Sequence, residues 1–282
     1  SIRRLEPKEE PEMLTEIILQ TSNPMTFKLD DVNPDDLVLL KSISGLLPSD
    51  VTLFRGDFAR SGGYYQGRRV GDRNPVFTLG LNPSYADDIS VSDVREMLYR
   101  QFYEPGSDTD GVQVLVRDDR RPDRYFIAYT DKWTGDLFSK DTSAQISMIC
   151  VDPFLYSVEE ETASSDTGWV SLSVPYDGSA DTGIQLILNV ASSMPNRRVM
   201  LDPHEFGLER SFSIEDTVEI NTVPGQRKIT CNGVNIMASL TASSKWLNLS
   251  KPTQTLTVDG GIDSDGKVSL TEYQYRSAWW GV

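Results

Sequence analysis

The chain has 282 residues, of which 38% are hydrophobic and 24% charged, and its formal net charge is −15. This length predicts about two domains, and the acidic balance disfavours non-specific binding to nucleic acid, because attraction to phosphates needs a basic face. A single histidine excludes a histidine-based metal cluster within one chain and disfavours Ser-His-Asp or Cys-His catalysis. No apolar run approaches the roughly 20 residues that span a bilayer, so we expect no membrane insertion.

Strand signals dominate the first part of the chain. Short runs rich in Val, Ile, Thr, Phe or Leu alternate with Gly, Pro, Asn or Asp, a pattern typical of strands between turns. It predicts strands at residues 15–19, 25–29, 37–43, 51–55, 76–81, 112–117, 125–133 and 144–151.

One segment of this first part has helical periodicity instead. Apolar residues recur at spacings of three and four from Val94 to Phe102. Ser90 and Asp93 form a capping-box-like start, and Pro105 follows the last periodic residue. The pattern predicts the main helix at residues 92–103.

The acidic, Ser/Thr-rich stretch at residues 157–168 is interpreted as a linker or an exposed connection. We therefore predict two domains, at residues 1–157 and 158–282. Strand patterns then continue at residues 169–174, 183–190, 198–201, 217–221, 227–231, 234–236, 256–258 and 268–275. Short strands with closely spaced turns predict an antiparallel sandwich. The fold class is thus mainly β: an α+β or β-sandwich domain with one main helix, followed by an antiparallel β-sandwich.

Cys150 and Cys231 are far apart in sequence, and we interpret them as buried thiols rather than as a disulfide. The acid pairs Asp35-Asp36, Asp87-Asp88 and Asp118-Asp119 lie beside turn residues, where carboxylates usually bond their own backbone. No catalytic constellation is found, so the sequence predicts neither an enzyme nor a cofactor.

The segment Gly261–Glu272 partly matches a calcium-binding loop, with Asp263, Asp265 and Glu272 at ligand positions. Its first position is a glycine and both flanks have strand patterns, so we favour a hairpin turn around Asp265-Gly266. The Arg55-Gly56-Asp57 tripeptide is short enough to occur by chance.

The stretch "RSGGYYQGRRVGDRNP" at residues 60–75 is predicted to be a glycine-rich loop between strands. Tyrosine and arginine are favoured at protein interfaces. Tyr64, Tyr65, Arg68 and Arg69 are therefore predicted to contact another subunit or a partner. A fold-specific turn or an anion-binding loop is the alternative.

The sequence "YQYRSAWWGV" at residues 273–282 is predicted to be the second strand of the hairpin around Asp265-Gly266. Alternation places Trp279 and Trp280 on opposite faces. We expect Trp279 to be buried and Trp280 to pack against a neighbouring domain or subunit. A sugar-binding aromatic platform, from Trp169, Trp246, Trp279 and Trp280, is the alternative, although tryptophans in a sandwich usually belong to the core.

Several blocks taken in order resemble the distal tail proteins of long, non-contractile-tailed bacteriophages. They are "FKLDD", "LVLLKSISGLLPSDV", "SGGYYQGRRVGDRNPVFTLGL", "VREMLYRQF", "ISMICVDPFLYS", "DTVEINTVPGQRKITCNGVNI", "SKWLNLSKPTQTLTV" and the final aromatic segment. The resemblance covers nearly the whole chain. The chain departs from the family at Lys251–Gln254, where the family often has Pro-Gly-Asn.

This resemblance implies a virion structural protein at the distal end of the tail, made in the bacterial host cytoplasm. Six N-terminal domains would form a ring around a channel for DNA passage, between the tail tube protein and the tail hub protein. A galectin-like C-terminal domain would face outward and dock receptor-binding or side-fibre proteins. A carbohydrate-binding module for host adhesion is the alternative function.

Overall fold

The computed structural model describes residues 14–21, 24–29, 33–57, 63–83, 88–103, 111–135, 142–191, 194–201, 204–251, 253–259 and 268–282. They form two compact units, 1–155 with 280–282, and 156–279. The units differ from the predicted domain limits in the placement of residues 156–157 and 280–282. The division into domains at 157 and 158 stays a prediction. No helix among the described residues is long and apolar enough to cross a membrane.

The first unit is built from antiparallel strands and one helix. Its elements are β1 (Leu14–Gln20), β2 (Met25–Lys28), β3 (Val38–Ser44), β4 (Val51–Asp57), β5 (Gly63–Val70), β6 (Val76–Leu81), α1 (Val91–Tyr103), β7 (Val112–Asp118), β8 (Arg124–Thr134) and β9 (Ser143–Ile149), and β10 (Leu155–Ser157) follows. Seven strands pair in the order β2-β1-β7-β8-β9-β6-β3. The long β8 pairs with β7 through its first half and with β9 through its second, across a register shift. Such a shift lets one strand bend and the sheet curl around its core.

Helix α1 supplies one side of this core. The side chains of Ser90 and Asp93 each accept a hydrogen bond from the other's backbone N–H, so the predicted capping box is confirmed. The helix buries Val94, Leu98 and Phe102, and the ring of Phe102 lies edge-on to Phe77, with 5.8 Å between centroids. Among the described residues α1 is the only α-helix, as the spacing predicts.

The second unit is an antiparallel sandwich. Its strands are β11 (Glu161–Trp169), β12 (Ser171–Val174), β13 (Thr182–Gly183), β14 (Gln185–Val190), β15 (Met194–Leu201), β16 (His204–Phe212), β17 (Thr217–Asn221), β18 (Lys228–Cys231), β19 (Val234–Asn235), β20 (Asn248–Leu249), β21 (Gln254–Asp259), β22 (Val268–Tyr275) and β23 (Ala278–Trp279), with a short 3-10 helix at Met237–Ser239. The main sheets run β11-β22-β14-β17-β18-β19 and β12-β21-β15-β16. Their inner faces bury the apolar core, and the predicted fold class is confirmed.

Two predictions about this second unit are wrong, and one long strand was missed. The stretch predicted as a linker contains strand β11, which pairs with β22 at the sheet edge. Strand β16 was not predicted. Strands β21 and β22 do not form a hairpin, because β21 pairs with β12 and β15 while β22 pairs with β11 and β14. The turn proposed between them, and most of the calcium-like loop, lie outside the described residues.

Candidate functional site

The strands β4 and β5 form a hairpin that has its own two-stranded sheet. Their register runs from Val51 opposite Val70 to Asp57 opposite Gly63, with a shift between Phe54 and Arg55. The prediction of a loop at residues 60–75 is therefore wrong for Gly63–Val70. Glycines within a strand mark bulges and close approaches as well as loops. Gly67 lies opposite the shift with φ of +152°, and the ring of Tyr64 occupies the space that a Cβ of Gly56 would need.

Large apolar side chains are exposed on both faces of this hairpin. Neighbouring residues of a strand point to opposite faces, yet Leu53 and Phe54 are 64% and 48% exposed. On β5, Tyr64 and Tyr65 are 48% and 66% exposed. Isolated two-stranded hairpins are marginally stable in water, and exposed apolar patches of this kind mark interaction surfaces. The hairpin is therefore the candidate interface of the first unit.

The base of the hairpin is closed by Arg73, a buried side chain that is only 1% exposed. Its Nη1 donates to the carbonyl oxygens of Gly45, Leu46 and Leu47 at 3.2, 2.7 and 2.9 Å, just before β4 begins. Its Nε donates to the carbonyl of Pro153 at 2.9 Å. Because Arg73 itself follows β5, one guanidinium group holds both ends of the hairpin.

The surroundings of Arg73 fit this role. Gly45 has φ of +78°, and a Cβ there would lie 2.0 Å from the Asn74 carbonyl oxygen, so only glycine brings this segment close enough. Burial lowers the pKa of the Arg73 guanidinium, while electrostatic interactions with Cys150 and Asp152 raise it. Hydrogen bonds to five carbonyl groups offset much of the cost of burying this charge.

Residues 280–282 belong to the same unit and lie beside the hairpin base. The Trp280 carbonyl accepts a hydrogen bond from Nη2 of Arg73 at 2.6 Å. The half-buried Trp280 ring has Phe154 edge-on at 5.0 Å between centroids. The Cζ of Arg68, on β5, lies 5.7 Å from the Trp280 ring centroid. The structure thus brings together two of the predicted interface residues, Arg68 and Trp280.

The other predicted interface residues lie on the same strand. Tyr64, Tyr65 and Arg69 are all exposed on β5. No contact of theirs with a partner is tested, so their interface role stays a prediction. Sequence reasoning missed Leu53, Phe54 and Arg73. Leu53 and Phe54 could have been found, because they are adjacent apolar residues in a short predicted strand. Adjacent residues of a strand point to opposite faces, so one of the two must lie on the outer face.

The cysteines and the acid pair considered as possible catalytic groups have structural roles among the described residues. Cys150 and Cys231 are buried free thiols, as predicted, and burial raises the pKa of Cys150 to about 12, against the lowering effect of Arg73. The Asp118 carboxylate accepts hydrogen bonds from the backbone N–H groups of Arg120 and Arg121, as expected of a turn. It is also buried and paired with Arg124, so the prediction that this carboxylate lies in a solvated turn is wrong. Among the described residues, no three His, Cys, Asp or Glu side chains cluster to hold a metal.

The four tryptophans proposed as a sugar platform differ in burial and do not all belong to one unit. Trp279 is only 6% exposed, and Trp280 belongs to the first unit. Trp169 and Trp246 are half-buried and pack against the sandwich core. Trp246 has Phe206 at 5.5 Å between ring centroids and the Arg227 guanidinium at 5.0 Å. These contacts are those of core tryptophans.

The two units and their topology define a mainly β protein whose second unit is an antiparallel sandwich. Residues 177–279 match the family model described as siphovirus-type tail component, C-terminal domain. The matched span lies within the second unit. A comparison with curated proteins found no match.

Solved structures extend the likeness to the first unit. The crystal structure of SPP1 Dit (gp 19.1), described as a paradigm of the hub adsorption apparatus in phages infecting Gram-positive bacteria, covers 94% of this chain and 99% of its own, with 16% identity and a TM-score of 0.62. Two structures of the phage P2 baseplate in its activated conformation, with Ca and with Sr, are each 10% identical, cover 95% and 94% of this chain and 98% and 97% of their own, and have TM-scores of 0.45 and 0.44. At those scores, the P2 likenesses do not establish a shared fold.

Residues 177–279 are thus similar to the C-terminal domain of siphovirus-type tail components, and the chain has the fold of SPP1 Dit over nearly its whole length. The resemblance to the distal tail protein family, inferred from the sequence blocks above, is confirmed.

Proposed function

We propose that this chain is a non-enzymatic subunit of a phage tail tip, which forms a hexameric ring between the tail tube and the tail hub. The observation that carries the proposal is the family match of residues 177–279 to siphovirus-type tail components. The fold shared with SPP1 Dit supports it for the rest of the chain. In this function the protein lies at the distal end of the tail in the virion.

The β4–β5 hairpin is the proposed contact between subunits of the ring. A closed ring repeats one heterologous contact, in which a surface of each subunit meets a different surface of the next. A hairpin with apolar side chains exposed on both faces suits such a contact, because the neighbouring copies can cover what one copy leaves in water. Leu53, Phe54, Tyr64 and Tyr65 supply the apolar area, and Arg69 adds a polar edge.

The remaining partners follow from the same proposal. The ring joins the tail tube protein on one side and the hub protein on the other, and the second unit docks receptor-binding or side-fibre proteins. DNA passes through the channel without specific binding, for which the net charge of −15 is favourable. No described aromatic platform favours carbohydrate binding as a second function.

Assembly of the purified protein tests the proposal. We expect light scattering after size-exclusion chromatography to show hexamers, or pairs of hexamers, and negative-stain images to show rings with an open centre. The double substitution Leu53→Ser and Tyr65→Ser should shift the protein toward monomers without changing its secondary structure. Val234→Ser is the matched control, since Val234 is 66% exposed in the second unit.

Two results would overturn parts of the proposal. If Val234→Ser weakens assembly as much as the hairpin substitutions do, the hairpin is not the subunit contact. If wild type and both variants are monomers at every concentration, and remain so when the purified tail tube protein is added, the ring itself is wrong.

A further inference from the structure

Residues 280–282 complete the hairpin base from a great distance along the chain. The hydrogen bond from Arg73 to the Trp280 carbonyl joins residues that are 207 positions apart. The Gly281 carbonyl accepts a hydrogen bond from Nη1 of Arg124 at 3.3 Å, and the N–H of Val282 donates to the Leu46 carbonyl at 3.3 Å. Each of the three residues thus has a hydrogen bond to the first unit.

The packing around Gly281 shows how closely this segment fits. A Cβ at Gly281 would lie 2.9 Å from Cδ of Pro48 and 3.0 Å from the Leu46 carbonyl oxygen. The same stretch of chain, just before β4, supplies carbonyl groups to Arg73. Residues 280–282 therefore pack on the segment that leads into the hairpin.

The Trp280 side chain adds a contact with the hairpin itself. Its ring contacts both Phe154 and Arg68, and Arg68 lies on β5 opposite Leu53. A guanidinium group over an indole ring is an attractive contact of about 0.5–1 kcal/mol at exposed sites. One residue thus contacts Arg73 at the base of the hairpin through its backbone and Arg68 on the second strand through its side chain.

We propose that residues 280–282 are a strap that fixes the orientation of the β4–β5 hairpin and so makes it competent for assembly. The consequence for assembly rests on the proposed function of the hairpin, whereas the effect on the hairpin itself does not. Because the strap is synthesised after the whole second unit, the hairpin base cannot be completed until that unit has been made. Early association of unfinished chains through the hairpin is thereby disfavoured.

Hydrogen exchange of the hairpin, measured by mass spectrometry on dilute, monomeric protein, tests the strap. Trp280→Ala keeps the backbone acceptor for Arg73 and removes only the ring contacts. We expect peptides covering 51–57 and 63–70 to exchange about two- to fivefold faster, the factor that corresponds to one exposed cation–π contact. Trp280→Phe should restore part of the protection, because a phenyl ring still receives Arg68.

Two further variants make the result specific. Arg68→Ala should speed exchange as Trp280→Ala does, and the double variant should add little to either single one, since both remove the same contact. Arg69→Ala, the next residue on β5, is the control and should leave exchange unchanged. A chain ending at residue 279 should lose protection in the hairpin and at 45–48 together, and should not assemble.

The outcomes separate this inference from the proposed function. Hairpin exchange that is the same in wild type, Trp280→Ala and the chain ending at 279 overturns the strap, whatever assembly does. Faster exchange with unchanged assembly leaves the strap standing and overturns the hairpin as the subunit contact. Faster exchange with weakened assembly supports both.

Discussion

The two units stabilise their interiors in different ways. The first unit buries two arginines: Arg73 is bound to carbonyl groups, and Arg124 is paired with Asp118. Among the described residues, the fully buried polar groups of the second unit are uncharged, as at Thr222 and Ser277. Both units also bury a large apolar core. The difference therefore lies in the buried charges, by which the first unit adds a few connections between distant parts of the chain to its apolar packing.

The tyrosines of the second unit show how it buries polar groups without burying charge. The hydroxyl of Tyr176 donates to the Ala180 carbonyl and accepts a hydrogen bond from the Ala278 N–H at 3.1 Å. The Tyr275 hydroxyl donates to the Pro175 carbonyl. Each ring fills the core while its hydroxyl is satisfied by backbone, so no charge is buried.

The largest effect is expected from Arg73→Ala in the first unit. This variant leaves several buried carbonyl groups without their donor and should cost about 4–5 kcal/mol of unfolding free energy. Urea unfolding followed by hydrogen exchange should show loss of protection in the first unit alone. Arg73→Lys should restore little, because an ammonium group cannot reach the same set of acceptors. Equal loss of protection in both units would contradict the claim that Arg73 stabilises only the first unit.

Asp118→Asn should cost about 3 kcal/mol, because it leaves the Arg124 charge without its carboxylate in a buried site. The control is Asp123→Asn, which breaks the partly exposed pair with Arg117 and should cost less than about 1 kcal/mol. Chemical denaturation measures both. Similar losses of unfolding free energy in the two variants would show that the buried pair stabilises the first unit no more than the partly exposed pair does.

Trp279→Ala should destabilise the second unit by about 3 kcal/mol, which lowers its thermal transition by several degrees. The indole is 6% exposed, so its removal leaves a cavity where the ring is now buried. Differential scanning calorimetry measures the shift. Trp280→Ala serves as the comparison and should change assembly more than melting. If both variants melt equally early, the assignment of these neighbours to different units is wrong.

A smaller change in the free energy of unfolding is expected at alkaline pH. Burial raises the pKa of Cys150 from 9.0 to about 12, so the folded state keeps a proton that the unfolded state releases. Stability from this group is present below pH 9 and is lost as the pH rises toward 12. Between pH 9 and 10.5 we expect the first unit to lose about 1–2 kcal/mol.

Cys150→Ser tests the origin of this loss, because a hydroxyl does not titrate in that range. The variant should flatten the pH dependence of hydrogen exchange in the first unit. The second unit should keep its own dependence, since burial also raises the pKa of Tyr176 to about 12. An unchanged slope in the first unit of the variant would assign the loss to other groups.

Local patterns in the sequence determined much of this protein. The three- and four-residue spacing and the cap of α1 gave the helix within one residue of its start. Runs of β-branched and apolar residues gave β6 and β22 with their observed bounds. Alternation also placed Tyr273 and Tyr275 on one face of β22, and both are buried. Side-chain periodicity and caps are local properties, so one sequence is sufficient to read them.

Tertiary structure alone decided the rest. Strand β5 is rich in glycine and β11 in serine and threonine, and both are strands because a neighbouring ladder satisfies their backbone groups. The alternation at the end of the chain breaks after Tyr275, so Ala278 is buried beside Trp279. The role of Arg73 depends on carbonyl groups from three distant segments. No periodicity links residues 207 positions apart, so the closure of the first unit by residues 280–282 could be seen only once the chain was folded.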